Sequence, residues 1–145
     1  MSNVLVVANE TVGAAELLGE LRRIEDEKSS VYHVVVPAHR HHTDRSTVWN
    51  QEGAIEEAEE RLQATLAILA AEGLAATGVV GDMRPLHAVR DALMDFEADV
   101  IVISTHHEKR SRWLRRNLVD HVRVDHPEID VRHVVSTVEE TARTT

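Results

Sequence analysis

Apolar residues in this chain gather in short unbroken runs, and between the runs they recur at three- and four-residue spacing. Val4 to Ala8 is the first run, of strand length, and ends at Asn9-Glu10-Thr11, where Asn9 or Thr11 can cap a helix. Ala14, Leu17, Leu18, Leu21 and Ile24 then repeat at helical spacing, and Val31 to Val36 forms a second run stopped by Pro37. Strand, amphipathic helix and strand follow one another without hairpin signals, which predicts a right-handed βαβ unit of a parallel sheet.

From Ala38 to about Trp49 the chain is polar, long for a connection in a compact domain, and carries His39, Arg40, His41 and His42. Ile55, Ala58, Leu62, Leu66 and Leu69 make the inward stripe of a second helix that ends near Gly73, while Glu56, Glu57, Glu59 and Glu60 read as its solvated surface. Thr77 to Gly81 is a short third strand whose glycines favour a sheet edge. Pro85 fits the first turn of a third helix, with Leu86, Val89, Leu93 and Phe96 facing inward. Val100 to Ile103 is the fourth strand. Ser111 can cap a fourth helix with Trp113, Leu114, Leu118 and Val122 inward, and Asp130 to Val135 is the last strand. The expectation is one domain over residues 1–138, followed by a polar tail at 139–145.

Composition narrows the options. The chain has 145 residues and no Cys, which removes disulfides, Cys-ligated zinc, iron–sulfur clusters and thiol catalysis and suits a reducing compartment. Its apolar runs are too short to cross a bilayer, and Met-Ser-Asn lacks the basic start of a secretory signal, so a cytoplasmic location without membrane contact is expected. A formal net charge of −9 and an aromatic content of 3% argue against nucleic-acid binding, which needs a basic surface and stacking platforms.

The order of these elements resembles the universal stress protein family over nearly the whole chain. Val4 to Thr11 is similar to that family's first strand and turn, Val80-Gly81-Asp82 with Pro85 to its turn before the third helix, and Ala98-Asp99-Val100-Ile101-Val102-Ile103 to its fourth strand. The resemblance implies a doubly wound α/β domain of the adenine nucleotide alpha hydrolase-like type. It would have a five-stranded parallel sheet in order 3-2-1-4-5, helices on both faces, and a ligand site at the carboxyl ends of the strands. It also implies that adenine would sit near Asn9, where the family has Asp, and near Val36. ATP-binding members carry G-x2-G-x9-G-[ST] after the fourth strand; here those positions are Ser104, His107, Asn117 and Leu118, so all three glycines are missing. Without glycine the backbone cannot close on phosphate, and weak or no ATP binding follows, as in the family's ligandless subgroup.

Three sets of side chains carry candidate chemistry. Lys109, Arg110, Arg112, Arg115 and Arg116 open the fourth helix against its dipole and could hold an anion, or be a solvated face paired with nearby acids. His39, His41 and His42 share the carboxyl edge with His106 and His107, and with Asp82 or Glu10 could bind a metal or gain charge as pH falls, though the spacing matches no zinc pattern. Ser104 or Thr105 with His106 sets a hydroxyl beside a base, but adjacent residues on an extended segment point apart. Nucleophile-elbow, phosphate-loop, dinucleotide and zinc-protease motifs are absent.

The reading is therefore a non-catalytic regulatory or stress-response module with no assigned cofactor, metal or catalytic residue. It would bind a small anionic ligand or a protein partner through Asn9, Val36, Gly81, Asp82, Ser104, Thr105, His107, Arg112, Arg115 and Arg116. The alternative is a nucleotide-dependent enzyme or metal-binding protein using the histidine-rich rim. A homodimer through the last strand is expected as well, with Val131, Val134 and Val135 as apolar groups at the sheet edge.

Overall fold

The computed structural model describes residues 2–8, 15–38, 51–106 and 112–136, with the backbone alone described at 51, 52, 54, 106, 112–117 and 136. Five strands alternate with four helices: β1 (Ser2–Ala8), α1 (Ala15–Glu27), β2 (Ser30–Pro37), α2 (Gln51–Ala71), β3 (Ala76–Gly81), α3 (Pro85–Asp95), β4 (Val100–His106), α4 (Arg112–Asp125) and β5 (Asp130–Ser136). The strands form one sheet in order β3-β2-β1-β4-β5, and every neighbouring pair is parallel. This is the doubly wound arrangement that the strand–helix alternation predicts, with β1 central and β3 at an edge.

Alternation along each strand divides the core in two. Val4, Val6, Tyr32, Val34 and Val102 pack beneath Leu17, Leu21 and Ile24 of α1 and Ala58, Leu62 and Leu69 of α2. On the other face Leu5, Val7, Val35, Ile101 and Ile103 pack beneath Ala88, Val89 and Ala92 of α3 and Leu118, Val119 and Val122 of α4. Both faces of the inner strands are covered, which is why β1 and β4 read as continuous apolar runs rather than alternating ones.

Close packing explains the glycines of β3. A Cβ on Gly78 would meet Leu62 Cδ1 at 2.5 Å and the Val34 carbonyl oxygen at 2.9 Å, and one on Gly81 would meet Ala88 Cβ and Val35 Cγ2 at 2.9 Å. Gly73, at φ +79°, closes α2: its N–H bonds the Ala70 carbonyl and the Leu74 N–H bonds that of Leu69, a Schellman ending.

Three expectations are corrected. Ile55, read as inward, is 38% exposed, because the stripe of α2 first meets the sheet at Ala58. β4 does not stop at Ile103 but continues through Ser104, Thr105 and His106, which pair with Val134, Val135 and Ser136 of β5. Val131 and Val134 are not edge groups: each is buried, Val131 in the α3/α4 core and Val134 in the α1/α2 core. The alternation of a strand turns their side chains onto the sheet faces and leaves backbone at the edge. The 139–145 tail lies outside the described residues.

Candidate functional site

Strand order reverses on the two sides of β1, so the carboxyl ends of β1 and β4 form the topological switch point where open α/β sheets bind ligands. Ala8 pairs with Ser104 across that point, and Ser104 with Val134; Val36 stands one step beyond the Val7–Val35 pair. Val36, Ala8 and Val134 belong to the α1/α2 face, and Ser104, two residues past Val102, shares it. Val36, Ala8, Ser104 and Val134 thus form one row across four strands, with the smallest side chains in the middle.

Ser104 is fully buried and its Oγ has no hydrogen-bond partner. An unanswered buried hydroxyl costs on the order of 1–3 kcal/mol, so a row of valines would be the cheaper way to finish this core. Thr105 is also fully buried but points to the opposite face, where its Oγ1 lies 2.9 Å from His133 Nε2. This imidazole comes from the neighbouring strand, because parallel register brings together residues 28 apart, while the side chain of the sequence-adjacent His106 lies outside the description.

One residue at this edge was not singled out in the sequence. Arg61 reaches from α2 to the end of β2, where its Nη2 donates to the Pro37 carbonyl at 3.2 Å. Its Nε is buried with no acceptor, and Glu57, its one ion-pair partner among the described residues, stands 4.0 Å from Nη1 with its own side chain 48% exposed. Burial pushes the guanidinium pKa down, with the Glu57 charge opposing. An arginine following four glutamates on a long helix carries the sequence signature of a surface residue, and only the tertiary packing of α2 on β2 reveals the burial.

The β3 end of the rim is different. Asp82 Oδ1 accepts from the Arg84 backbone N–H at 2.8 Å and from Arg84 Nε at 3.1 Å, and these bonds hold its carboxyl down to about 2. Arg84 is in turn the residue that precedes Pro85 at the start of α3. Asp82 is thus committed to a local turn, and Gly81 to the close approach of α3.

Asn9, His107, His39, His41, His42, Lys109, Arg110 and Ser111 lie outside the described residues. Arg112, Arg115 and Arg116 lie in the first half of α4, with their side chains outside the description, and His106 is the last residue of β4. Among the described residues no three His, Asp or Glu side chains converge as a metal site, and no helix is long and apolar enough to cross a membrane. His33 lies apart from the row, on the opposite face of β2, stacked on Phe96 with ring centroids 5.1 Å apart and hydrogen-bonded to Thr77 Oγ1. Burial pushes its pKa down against the charge of Asp95.

A doubly wound parallel domain with its topological switch point between β1 and β4 is the class that the fold defines. Its architecture is similar to that of a universal stress protein family member from Burkholderia pseudomallei, with a TM-score of 0.61 and 17% identity over 91% of this chain and 94% of that one. It is likewise similar to a universal stress protein from Archaeoglobus fulgidus, at a TM-score of 0.60 and 17% identity over 92% and 93% of the two chains. No family model and no curated protein matches the sequence. The chain has a universal stress protein-like fold.

Proposed function

We propose that this chain is a divergent universal stress protein-like module, a non-catalytic regulatory or stress-response protein of the cytoplasm. It would bind a small anionic ligand at the carboxyl edge of its sheet, with weak or no ATP binding. The observation that carries the reading is Ser104, a fully buried hydroxyl without a partner at the switch point, where the family resemblance has the first glycine of the phosphate loop. A side chain there removes the close backbone approach that a triphosphate uses, yet supplies a donor and acceptor that a smaller ligand can satisfy. Calorimetric titration with ATP should give a constant in the millimolar range or no heat. A low-micromolar constant would overturn the reading.

Self-association through β5 belongs to the same proposal, resting on backbone rather than on valine side chains. The Asp130 N–H bonds the Asp99 carbonyl, toward β4, so alternation turns the backbone of Val131 and Val135 to the open edge. Val135→Pro, which removes an edge donor without touching either core, should shift a dimer toward monomer in light scattering across a concentration series. A dimer indifferent to it would place the interface elsewhere.

A further inference from the structure

Arg61 is the only guanidinium among the described residues with a buried nitrogen that no acceptor meets. Shortage of acid is not the reason, since Glu56, Glu57, Glu59 and Glu60 are all exposed on the same helix. Two other arginines are met closely by acids: Arg132 has Glu20 and Asp130 at 2.8 Å each, and Arg84 has Asp82 at 3.1 Å. The Arg61 side chain is only 14% exposed, and its one described hydrogen bond goes to the neutral carbonyl of Pro37. A cation withdrawn from water in this way is unfavourable unless an anion compensates it, and the half-exposed Glu57 carboxylate, 4.0 Å from Nη1, does so only in part.

Its position gives an acceptor for the free Nε a direction. Arg61 stands over Pro37, one residue past Val36, and from Val36 the row runs through Ala8 to Ser104. Neighbouring strands lie about 4.8 Å apart, so Val36 and Ser104 are separated by roughly 10 Å, with the methyl of Ala8 between them. Two polar groups without partners thus mark the two ends of one short track on one face of the sheet.

We infer that Arg61 and Ser104 are the two poles of a single ligand site, whose row of Val36, Ala8 and Ser104 is buried in the ligand-free chain. Its ligand would be a small organic anion with its phosphate or carboxylate at Arg61, over β2, and a hydroxyl or carbonyl at Ser104. The inference rests on the anion-binding reading above and adds the ligand's polarity. That polarity is opposite to the one the family resemblance implies, in which the base lies near Val36 and the phosphates near the turn after β4. The planar fork of arginine suits the flat or trigonal oxygens of such an anion, and a serine hydroxyl can both donate and accept.

Calorimetric titration of the whole chain with ribose phosphate, inorganic phosphate, glutarate and free ribose at matched ionic strength tests it. Ribose phosphate should bind more tightly than inorganic phosphate, and free ribose should not bind; glutarate binding as well as ribose phosphate would identify a carboxylate as the natural charge. Arg61→Met should weaken anion binding by about tenfold or more, the order expected for a buried charge-assisted contact. Arg61→Lys, which keeps the charge but not the Nε donor, should weaken it severalfold and serves if Arg61→Met does not fold. Ser104→Ala should weaken ribose phosphate binding and leave inorganic phosphate unchanged. Arg61→Met should weaken both affinities more than Arg112→Ala with Arg115→Ala does. Anion binding lost in that double variant but kept in the Arg61 variants would overturn this inference while sparing the anion-binding reading. A wild-type chain that responds to neither phosphate nor glutarate would overturn both.

Discussion

The two ends of the sheet are finished in different ways. At the amino end the polar groups are stapled. The Asn3 N–H donates to Asp99 Oδ2 at 2.9 Å, its Nδ2 donates to the Glu97 carbonyl at 2.8 Å, and the Asp99 N–H returns a bond to the Asn3 carbonyl at 2.8 Å. The buried Tyr32 donates its hydroxyl to Glu25 at 2.7 Å, and Ser30 donates to the Lys28 carbonyl at the same distance. At the carboxyl end, Ser104 Oγ and Arg61 Nε are buried and unanswered. The same five parallel strands run through both ends, so the difference is local. One end is arranged for stability, and the other keeps polar capacity in reserve, as sites that bind commonly do.

Removing one hydroxyl from each end should give effects of different size and opposite sign. Tyr32→Phe is the larger: it removes a buried bond to a carboxylate and should cost about 1.5 kcal/mol in denaturant unfolding. Burial, then the Glu25 charge, pushes the Tyr32 pKa up, so the hydroxyl stays a donor throughout the accessible range. A neutral Tyr32→Phe would mean that this end is not held by its hydrogen bonds.

Glu20 sharpens the contrast through pH. Hydrogen bonds from Arg23, then Arg132, lower its pKa from 4.5, so the stability it contributes is fully present above that value and drains away as pH falls through the lower, folded-state pKa. Glu20→Gln should therefore cost about 1 kcal/mol or less near neutral pH and flatten the acid limb below pH 4.5, the two proteins converging in strong acid. Parallel acid limbs would show that the Glu20–Arg132 link between α1 and β5 adds nothing. Smallest of the three is Ser104→Ala. Deleting an unpartnered hydroxyl should leave stability unchanged or raise it by about 0.5 kcal/mol, and a loss of more than about 1 kcal/mol would show that the group is satisfied in solution.

Most of the fold was legible because it depends on pattern. Runs such as Val4 to Ala8 and Val100 to Ile103, each followed by a helical stripe, leave few topologies once crossovers are right-handed. The site was legible only in location. Ser104 lay at the end of an apolar run, but its extension into β4 depends on pairing with Val134, which no local signal announces. Thr105 finds its imidazole in His133 across a strand boundary, and Arg61 owes its burial to the packing of α2 on β2. Such properties arise between elements, where sequence neighbours are no guide. The valines of β5 misled for the opposite reason: an apolar residue on an edge strand still faces the core.

The central claim is that an anion seats on the row Val36–Ala8–Ser104 beneath Arg61. Its most direct test is an NMR titration of the 15N-labelled chain with ribose phosphate. The account predicts saturable amide shifts concentrated at Val36, Ala8 and Ser104 and at the Arg61 Nε–H, with the Asp82–Arg84 turn and the amino-end residues Asn3 and Asp99 unmoved. Shifts centred on Asp82 and Arg84, or confined to the first turns of α4 with the row silent, would contradict it.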